Sequence, residues 1–249
     1  MNRTQVRLDI DKRHAAVTFS NGEGLNMLSR DVLHSLGALV ARVRRESDVR
    51  TLTIRSEGKV FVAGADIKEL STFSPDDARG YATLGHGVMA DVASLPCITV
   101  AAVQGAAIGG GLELALACDF RIAVKSAKLG LPEVSLGLMP GWGGIGRLVK
   151  LIGSARAKRV FLGATTISAE EAHHWGLIDE AVNSPEDLRA RTTAFCHSFY
   201  RAGPAAVALA KRAARDFDDL GAFMECFQGR ESREGLAAFL DKRPARWME

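Results

Sequence analysis

Three consecutive glycines, Gly109 to Gly111, separate an apolar run from a short helical pattern, and they constrain the fold more than any other feature of this chain. The preceding run, ITVAAV, predicts a strand that is buried on both faces. The following residues, LELALAC, predict a short helix. Because glycine lacks a Cβ and tolerates positive φ, other groups can approach this backbone closely. Such a strand–glycine–helix junction presents free N–H groups at the positive end of a helix dipole.

Two glutamates accompany this junction. Glu113 lies in the first turn of the predicted helix, and Glu133 follows after one more strand and a turn. Taken alone, Glu113 fits an acid that the helix dipole stabilises. Glu133 stands between apolar residues and after a proline, where a carboxylate needs a partner, water or a chemical role. Two carboxylates beside backbone donors predict an enzyme that polarises a carbonyl while it moves protons.

The order of predicted elements indicates an α/β fold. Strands are predicted over residues 6–10, 15–20, 51–55, 98–103 and 120–124, with helices between them. Ser29, Ser74 and Ser168 are predicted helix caps, and residues 144–152 and 154–162 are predicted to form two short helices. Helical patterns dominate the last third of the chain. We therefore expect a core over residues 1–190 and a helical C-terminal subdomain over residues 191–249.

Composition narrows the class of protein. Of the 249 residues, 47% are hydrophobic and 24% are charged, which is ordinary for a globular protein in water. The net charge of +3 is too small to indicate a nucleic-acid partner. Apolar runs are of strand length or are broken by glycine and charge, and the N-terminus lacks a signal-peptide pattern, so no membrane association and a cytoplasmic location are expected. The four cysteines form no CxxC pair and are expected to be reduced core residues: Cys97, Cys118, Cys196 and Cys226.

Two patterns that would indicate a cofactor or a metal are rejected. The segment GWGGIG, residues 141–146, matches the dinucleotide fingerprint, but no strand precedes it directly and the next acid is as far away as Glu170. The adjacent histidines His173 and His174 belong to no HExxH motif, so no metal site is predicted.

Three segments together resemble the crotonase (enoyl-CoA hydratase/isomerase) superfamily in order and spacing: FVAGADIKEL, AAVQGAAIGGGLELALACDFRIA and LGLPEVSLGLMPGWGGIGRL. The segment EGLAAFLDKRPA resembles the closing helix of that family, so the resemblance covers essentially the whole chain. It implies a spiral of ββα units with a helical C-terminal trimerisation region, assembled as a homotrimer or a dimer of trimers. It also implies an acyl-CoA thioester substrate and no cofactor, since coenzyme A is part of the substrate.

The resemblance also implies roles for individual residues. By position, the backbone N–H groups of Ala65 and Gly110 would form an oxyanion hole for enolate-like charge on the thioester oxygen. Hydratases that resemble this chain carry glutamates at the positions of Glu113 and Glu133. The resemblance assigns water activation to Glu113 and proton transfer at the α-carbon to Glu133, and the sequence leaves the reverse assignment open.

Further substrate-binding positions follow from the same resemblance. Those expected near the CoA adenine are Ala63, Asp66 and Ile67, and those expected to reach the CoA of a neighbouring subunit are Phe223 and Lys242. The remaining substrate-binding positions are Leu25, Ile108, Pro132, Leu138, Gly141 and Trp142. The residue before Leu25 is glycine, where the family often has a basic residue. Trp142 occupies a commonly small position and predicts a shortened or reshaped acyl pocket, unless its ring turns outward and packs between helices.

The sequence therefore predicts an enoyl-CoA hydratase that adds water reversibly, in a syn sense, across the double bond of a 2-enoyl-CoA. One alternative is another reaction of the crotonase fold on an acyl-CoA: isomerisation, decarboxylation or thioester hydrolysis. Another is a non-catalytic acyl-CoA or RNA-binding module. Acyl chain length, branching and pathway are not predicted.

Overall fold

The computed structural model describes residues 3–248, which form ten β-strands and ten α-helices. The strands are β1 (Gln5–Asp11), β2 (His14–Ser20), β3 (Thr51–Ser56), β4 (Val60–Val62), β5 (Ile98–Val103), β6 (Ala106–Ile108), β7 (Phe120–Val124), β8 (Lys128–Gly130), β9 (Thr166–Ser168) and β10 (Glu180–Val182). The helices are α1 (Arg30–Arg45), α2 (Ile67–Leu70), α3 (Pro75–Ala93), α4 (Gly110–Ala117), α5 (Gly144–Leu162), α6 (Ala169–His174), α7 (Pro185–Ser198), α8 (Pro204–Asp216), α9 (Asp219–Cys226) and α10 (Glu231–Leu240).

Helix starts follow the predicted caps. Ser29 accepts a hydrogen bond from the Val32 N–H at the start of α1. Ser74 and Asp77 form a reciprocal capping box at α3, and Ser168 caps α6. The two predicted helices of residues 144–162 appear as one element, α5, whose helical geometry is interrupted at Gly153 (φ 77°, ψ 160°).

Two sheets organise the core. The six-stranded sheet has the order β1-β2-β3-β5-β7-β10, in which only the β1–β2 pair is antiparallel. The four-stranded sheet has the order β4-β6-β8-β9. Each successive pair (β3 and β4, β5 and β6, β7 and β8) gives its first strand to the larger sheet and its second strand to the smaller one before a helix follows. This arrangement confirms the predicted spiral of ββα units.

The smaller sheet was largely missed by the sequence prediction. Its four strands have three residues each, which is too short for an alternating pattern to be visible. The segment after β4 contains the short helix α2, which Asp66 caps by accepting from the Lys68 and Glu69 N–H groups. Parallel pairing of β4 with β6 places the ends of both strands side by side. Two glycine loops begin there: one contains Gly64 and follows β4, and the other contains Gly109 and follows β6.

The C-terminal helices carry an unusually apolar exposed surface. Large side chains that are more than half exposed there are Phe217, Leu220, Phe223, Met224, Phe227, Leu236, Phe239 and Leu240. The boundary predicted at residue 190 lies inside α7 and stays a prediction.

The structure bears on two expectations from composition, that the cysteines are reduced core residues and that no helix spans a membrane. The four cysteines are free: Cys97, Cys118 and Cys196 are buried, whereas Cys226 is half-buried at the end of α9. The core prediction is therefore wrong for Cys226, because α9 packs mainly on α8 and leaves much of its surface open. Within residues 3–248, no helix combines the length and apolar character needed to cross a bilayer.

Candidate active site

Helix α4 holds Glu113 in the middle of the protein. All eight residues of this helix are buried, including Glu113, whose exposed fraction is 2%. Gly109 precedes the helix with φ 56° and ψ −128°, a conformation that side chains rarely adopt. Gly111 meets the backbone of β4 so closely that a Cβ would lie 2.0 Å from the Val62 carbonyl oxygen. The glycine run is therefore required both by its turn and by its packing.

The buried Glu113 carboxylate is held by the glycine turn that precedes α5. Its Oε1 accepts hydrogen bonds from the backbone N–H groups of Trp142 (2.8 Å) and Gly144 (2.9 Å). This turn is the segment that matched the dinucleotide fingerprint. Its Trp142 and Gly144 N–H groups are used for a carboxylate of the same chain.

Glu133 approaches the same junction from the other side. It begins a 3₁₀ turn, Glu133–Leu136, after β8, and its side chain is half-buried. Its Oε1 lies against Gly109, where a Cβ would be 3.1 Å away. Its Oε2 is buried and has no hydrogen-bond partner within residues 3–248. A buried carboxylate oxygen without a partner is costly, so this atom marks a place where a reacting molecule could bind.

The two carboxylates differ in the neighbouring groups that shift their pKa values. Burial raises the pKa of Glu113, and the N–H groups of Gly144 and Trp142, together with the Arg147 guanidinium, oppose that rise. Burial also raises the pKa of Glu133, to about 7, and the negative charge of Glu113 adds to the effect. Glu133 therefore holds its proton up to about pH 7. The pKa of Glu113 is also raised by burial, but its backbone donors favour the ionised form.

The two glycine loops bring Ala65 and Gly110 together. Gly64, at φ 99°, packs so closely on the second loop that a Cβ would lie 2.9 Å from the Ile108 carbonyl oxygen and 3.5 Å from the Gly110 nitrogen. Ala65 follows directly. Neither the Ala65 N–H nor the Gly110 N–H donates to an acceptor among the described residues. Two free N–H groups on adjoining loops suit an oxygen that develops negative charge.

Trp142 is buried, with 4% of its surface exposed, and its indole packs between α3 and the start of α4. A Cβ on Gly110 would lie 2.2 Å from Cζ3 of the indole, and a Cβ on Gly85 would lie 2.2 Å from its Nε1. The ring of Tyr81 meets the indole edge-on, with 5.3 Å between ring centroids. The indole therefore packs between two helices, as one part of the alternative expected, but it points into the protein beside the glutamate-bearing helix and does not turn outward.

The other predicted binding positions divide into two groups. Those in the first group are half-buried or exposed: Leu25, Ala63, Asp66, Ile67, Ile108, Pro132, Leu138 and Gly141. All but Leu25 are close in sequence to a residue of the cluster, and the segment of Leu25 is joined to it by a hydrogen bond from the Ala63 N–H to the Asn26 carbonyl oxygen. Phe223 lies exposed on α9, and Lys242 follows α10 with φ 54°. The assignment of Phe223 and Lys242 to the CoA of a neighbouring subunit stays a prediction.

Arg147 was not singled out from the sequence. It lies on the first turns of α5, and its Nη1 donates to the Trp142 carbonyl oxygen at 2.9 Å. Its charge also favours the ionised form of Glu113. It therefore fastens the turn that holds that carboxylate. The sequence signal that could have revealed it is a basic residue just after a run of glycines, which is weak because most such residues are solvated.

The match to known proteins extends over the length of the chain. The family model described as enoyl-CoA hydratase/isomerase matches residues 10–249. The chain belongs to the enoyl-CoA hydratase/isomerase family. This confirms the crotonase-type resemblance, its hydratase branch and the fold that it implied.

Several members of the enoyl-CoA hydratase/isomerase family are similar to this chain over nearly their whole length. A crotonyl-CoA hydratase from Syntrophomonas wolfei is 37% identical, covering 98% of this chain and 97% of the relative. A short-chain-enoyl-CoA hydratase from Clostridium acetobutylicum is 34% identical, with the same coverage. The crystal structure of an enoyl-CoA hydratase from Bacillus anthracis matches with a TM-score of 0.89 at 33% identity, covering 96% of this chain and 97% of that structure.

Proposed function

We propose that this chain is an enoyl-CoA hydratase, which adds water reversibly to the 2,3 double bond of a 2-enoyl-CoA thioester. The observation that carries the proposal is the pair of carboxylates at one glycine junction: Glu113 accepts hydrogen bonds from two backbone N–H groups, and Glu133 has an unpartnered buried oxygen. The named hydratases among its relatives support the same reaction.

The oxyanion hole comes first in this mechanism. The thioester oxygen accepts hydrogen bonds from the free N–H groups of Ala65 and Gly110. Negative charge moves onto that oxygen when the double bond is attacked, and the N–H at the start of α4 meets it with the positive end of the helix dipole. Loss of one such donor in comparable sites costs about 3–4 kcal/mol of transition-state stabilisation. Both donors are backbone atoms, so glycine and alanine matter here for the clearance they leave.

The two glutamates move the protons. A water molecule between them forms the new C–O bond at C3 and gives a proton to Glu113, while Glu133 gives its proton to C2. The C2–C3 π bond breaks, and the enolate-like charge collapses as the C2–H bond forms. One proton enters the pair and one leaves it, so the pair carries a single proton before and after the step. Because both carboxyl groups serve the same face of the substrate, the proposal predicts syn addition.

The proposal includes no cofactor beyond the CoA portion of the substrate. The carboxylates supply acid and base, and the backbone donors supply charge stabilisation, which together cover each step above. We also propose a cytoplasmic location and no nucleic-acid partner, in keeping with the composition and the small net charge.

The reaction is tested with crotonyl-CoA and the purified chain. Hydration removes the ultraviolet absorbance of the conjugated thioester and adds the mass of one water molecule to the product. With crotonyl-CoA, isomerisation keeps the mass and hydrolysis releases a free thiol. Decarboxylation needs a separate assay with an acyl-CoA that carries a free carboxyl group, and it releases carbon dioxide. Binding of saturated acyl-CoA without any product would instead favour a non-catalytic module, and a salt-dependent shift of RNA would favour the RNA-binding alternative.

We further propose that the chain assembles as a homotrimer or a dimer of trimers through its C-terminal helices. The support is the set of exposed apolar side chains on α8–α10, since such a patch on a monomer marks an interaction surface. Phe239, which is 81% exposed, is a sharp test because its removal disturbs no packing within the chain. Phe239→Glu should shift the sedimentation coefficient from an oligomer to a monomer while the circular dichroism spectrum is retained.

Deletion of residues 236–249 should remove oligomerisation and lower the affinity for CoA together, if Phe223 and Lys242 reach the CoA of a neighbouring subunit. Isothermal titration with acetyl-CoA measures the second effect. A wild-type chain that sediments as a monomer at micromolar concentration would contradict the assembly proposal.

A further inference from the structure

We propose that the Trp142 indole closes the acyl-binding space and restricts this chain to short, straight 2-enoyl groups. This inference rests on the proposed function, because it places the thioester oxygen at the Gly110 N–H and the reacting carbons beside Glu113 and Glu133. It assigns to this chain a specificity-determining residue and a substrate class within that reaction.

The indole occupies a slot that is built from glycine on two sides. A Cβ on Gly85 of α3 or on Gly110 of α4 would lie 2.2 Å from the nearest atom of the indole, far below a normal contact distance. The ring therefore fills the space that a side chain at either position would need. Glycine inside a helix is unfavourable by roughly 0.5–1 kcal/mol relative to alanine. The space that the indole needs explains why α3 has glycine at position 85 despite this loss of helix stability. The two helices are therefore shaped to hold this ring in one place.

The position of the ring relative to the proposed oxyanion hole follows from helix geometry. In the first turn of a helix, both the free N–H and the Cα–Cβ direction lean toward the N-terminus. The indole lies where the Cβ of Gly110 would be, so it is in direct contact with the residue whose N–H forms part of the proposed oxyanion hole. A thioester oxygen bound to that N–H brings the first carbons of the acyl group next to the indole.

The ring is also anchored against movement. The Trp142 N–H is bound to Glu113 and its carbonyl oxygen to Arg147, so the residue is fixed at both ends of its backbone. Tyr81 packs on the ring edge, and its hydroxyl donates to the Leu28 carbonyl oxygen. Phe73 in turn packs on Tyr81, with 5.3 Å between ring centroids. An acyl chain that extended past C3 toward the indole would meet a fixed wall.

The test compares straight 2-enoyl-CoA substrates from C4 to C10 with wild type, Trp142→Ala and Trp142→Phe. For wild type, kcat/KM should fall as the acyl group lengthens. In Trp142→Ala, the ratio of kcat/KM for the C10 substrate to that for crotonyl-CoA should rise by about fourfold per methylene newly accommodated, until the vacated space is full. Trp142→Phe should give an intermediate ratio, and it carries the test if the alanine variant does not fold. Trp175→Ala is the matched control, since that indole packs beside Arg156 and Arg159 away from the glutamates.

Binding of saturated butyryl-CoA and decanoyl-CoA separates this inference from the proposed reaction. Wild type should bind butyryl-CoA at least as tightly as decanoyl-CoA, and Trp142→Ala should reverse that order even if no substrate is hydrated. A wild-type profile that is flat from C4 to C10 would overturn the inference, as would a chain-length ratio that Trp142→Ala and Trp142→Phe leave unchanged. Hydration of none of the substrates, with the binding order as expected, would overturn the proposed reaction and leave the acyl restriction supported.

Discussion

The Glu133 carboxylate lies against Gly109, so closely that a Cβ at that position would be 3.1 Å from Oε1. Gly109 also has φ 56° and ψ −128°, which glycine alone adopts without strain. Gly109 therefore both forms the turn into α4 and leaves the space that the Glu133 carboxylate occupies.

Gly109→Ala should therefore damage both stability and catalysis. We expect a loss of about 1–3 kcal/mol in the free energy of unfolding from backbone strain. We expect kcat to fall on the order of 10²-fold, because a displaced carboxylate no longer meets the reacting carbon. Urea denaturation and crotonyl-CoA hydration measure the two effects. Gly146→Ala, on an exposed turn of α5 with open space around its Cβ, is the control, and equal behaviour of the two variants would contradict the expectation.

Replacement of the acids tests the shared water. Glu113→Gln and Glu133→Gln should each lower kcat by about 10²–10⁴, with a smaller effect on KM. The double variant should be little worse than the poorer single variant, because both groups act on one water and one substrate. Glu170→Gln, at an exposed position in the first turn of α6, should retain wild-type rates. Near-full hydration by either single variant would show that two carboxylates are not required.

The pH dependence follows from the single proton that the pair shares. In the proposed mechanism, hydration starts with Glu133 protonated and Glu113 ionised, and dehydration starts with the proton on the other glutamate. Both directions therefore need the singly protonated pair. The raised pKa of Glu133, about 7, means that this proton is lost as the pH rises through about 7. We expect kcat/KM to fall about tenfold per pH unit above that value, with the same limb for crotonyl-CoA and for 3-hydroxybutyryl-CoA.

The control for this limb is Glu133→Gln, whose residual activity should no longer fall as the pH rises through 7. A limb that persists in the glutamine variant would assign the titration to another group.

Two glycines of α3 form a matched pair for stability. Gly87 has open space where its Cβ would be, so Gly87→Ala should raise the free energy of unfolding by about 0.5–1 kcal/mol through the gain in helix preference. Gly85→Ala makes the same chemical change but places its Cβ 2.2 Å from the Trp142 indole, and it should lower stability. Thermal and urea unfolding of the two variants check the opposite signs. A stabilised Gly85→Ala would show that the indole is not held in its slot.

The sequence predicted those parts of the fold and the site that have a local signature. Helices α1 and α3 were predicted correctly from their hydroxyl caps, Ser29 and Ser74, and strand β5 was predicted from its apolar run. Glu133 was singled out because an acid between apolar residues is conspicuous, whereas Glu113 was singled out by its place beside the glycine run and by the family resemblance. The three-residue strands of the smaller sheet have no such signature, since their place depends on pairing with distant segments.

The parts that could not be predicted involve backbone donors and long-range packing. The bonds from the Trp142 and Gly144 N–H groups to Glu113 use atoms that every residue type has, so no residue type reveals them. The inward direction of Trp142 depends on Gly85, which is 57 residues earlier in the chain and on another helix. An unexplained glycine in the middle of a helical pattern was the available clue, and only the tertiary structure says which side chain fills its space.

Burial of all eight residues of α4 divides the site into a fixed half and an adjustable half. Glu113 and Gly110 belong to a segment that has no surface of its own, so any change in their positions requires several neighbouring elements to repack at once. Glu133, Ala65 and the loops that carry them border the surface, where substitutions and insertions are tolerated more readily. Under the proposed mechanism, new acyl specificities can therefore evolve by remodelling these loops around a glutamate-bearing helix that stays unchanged.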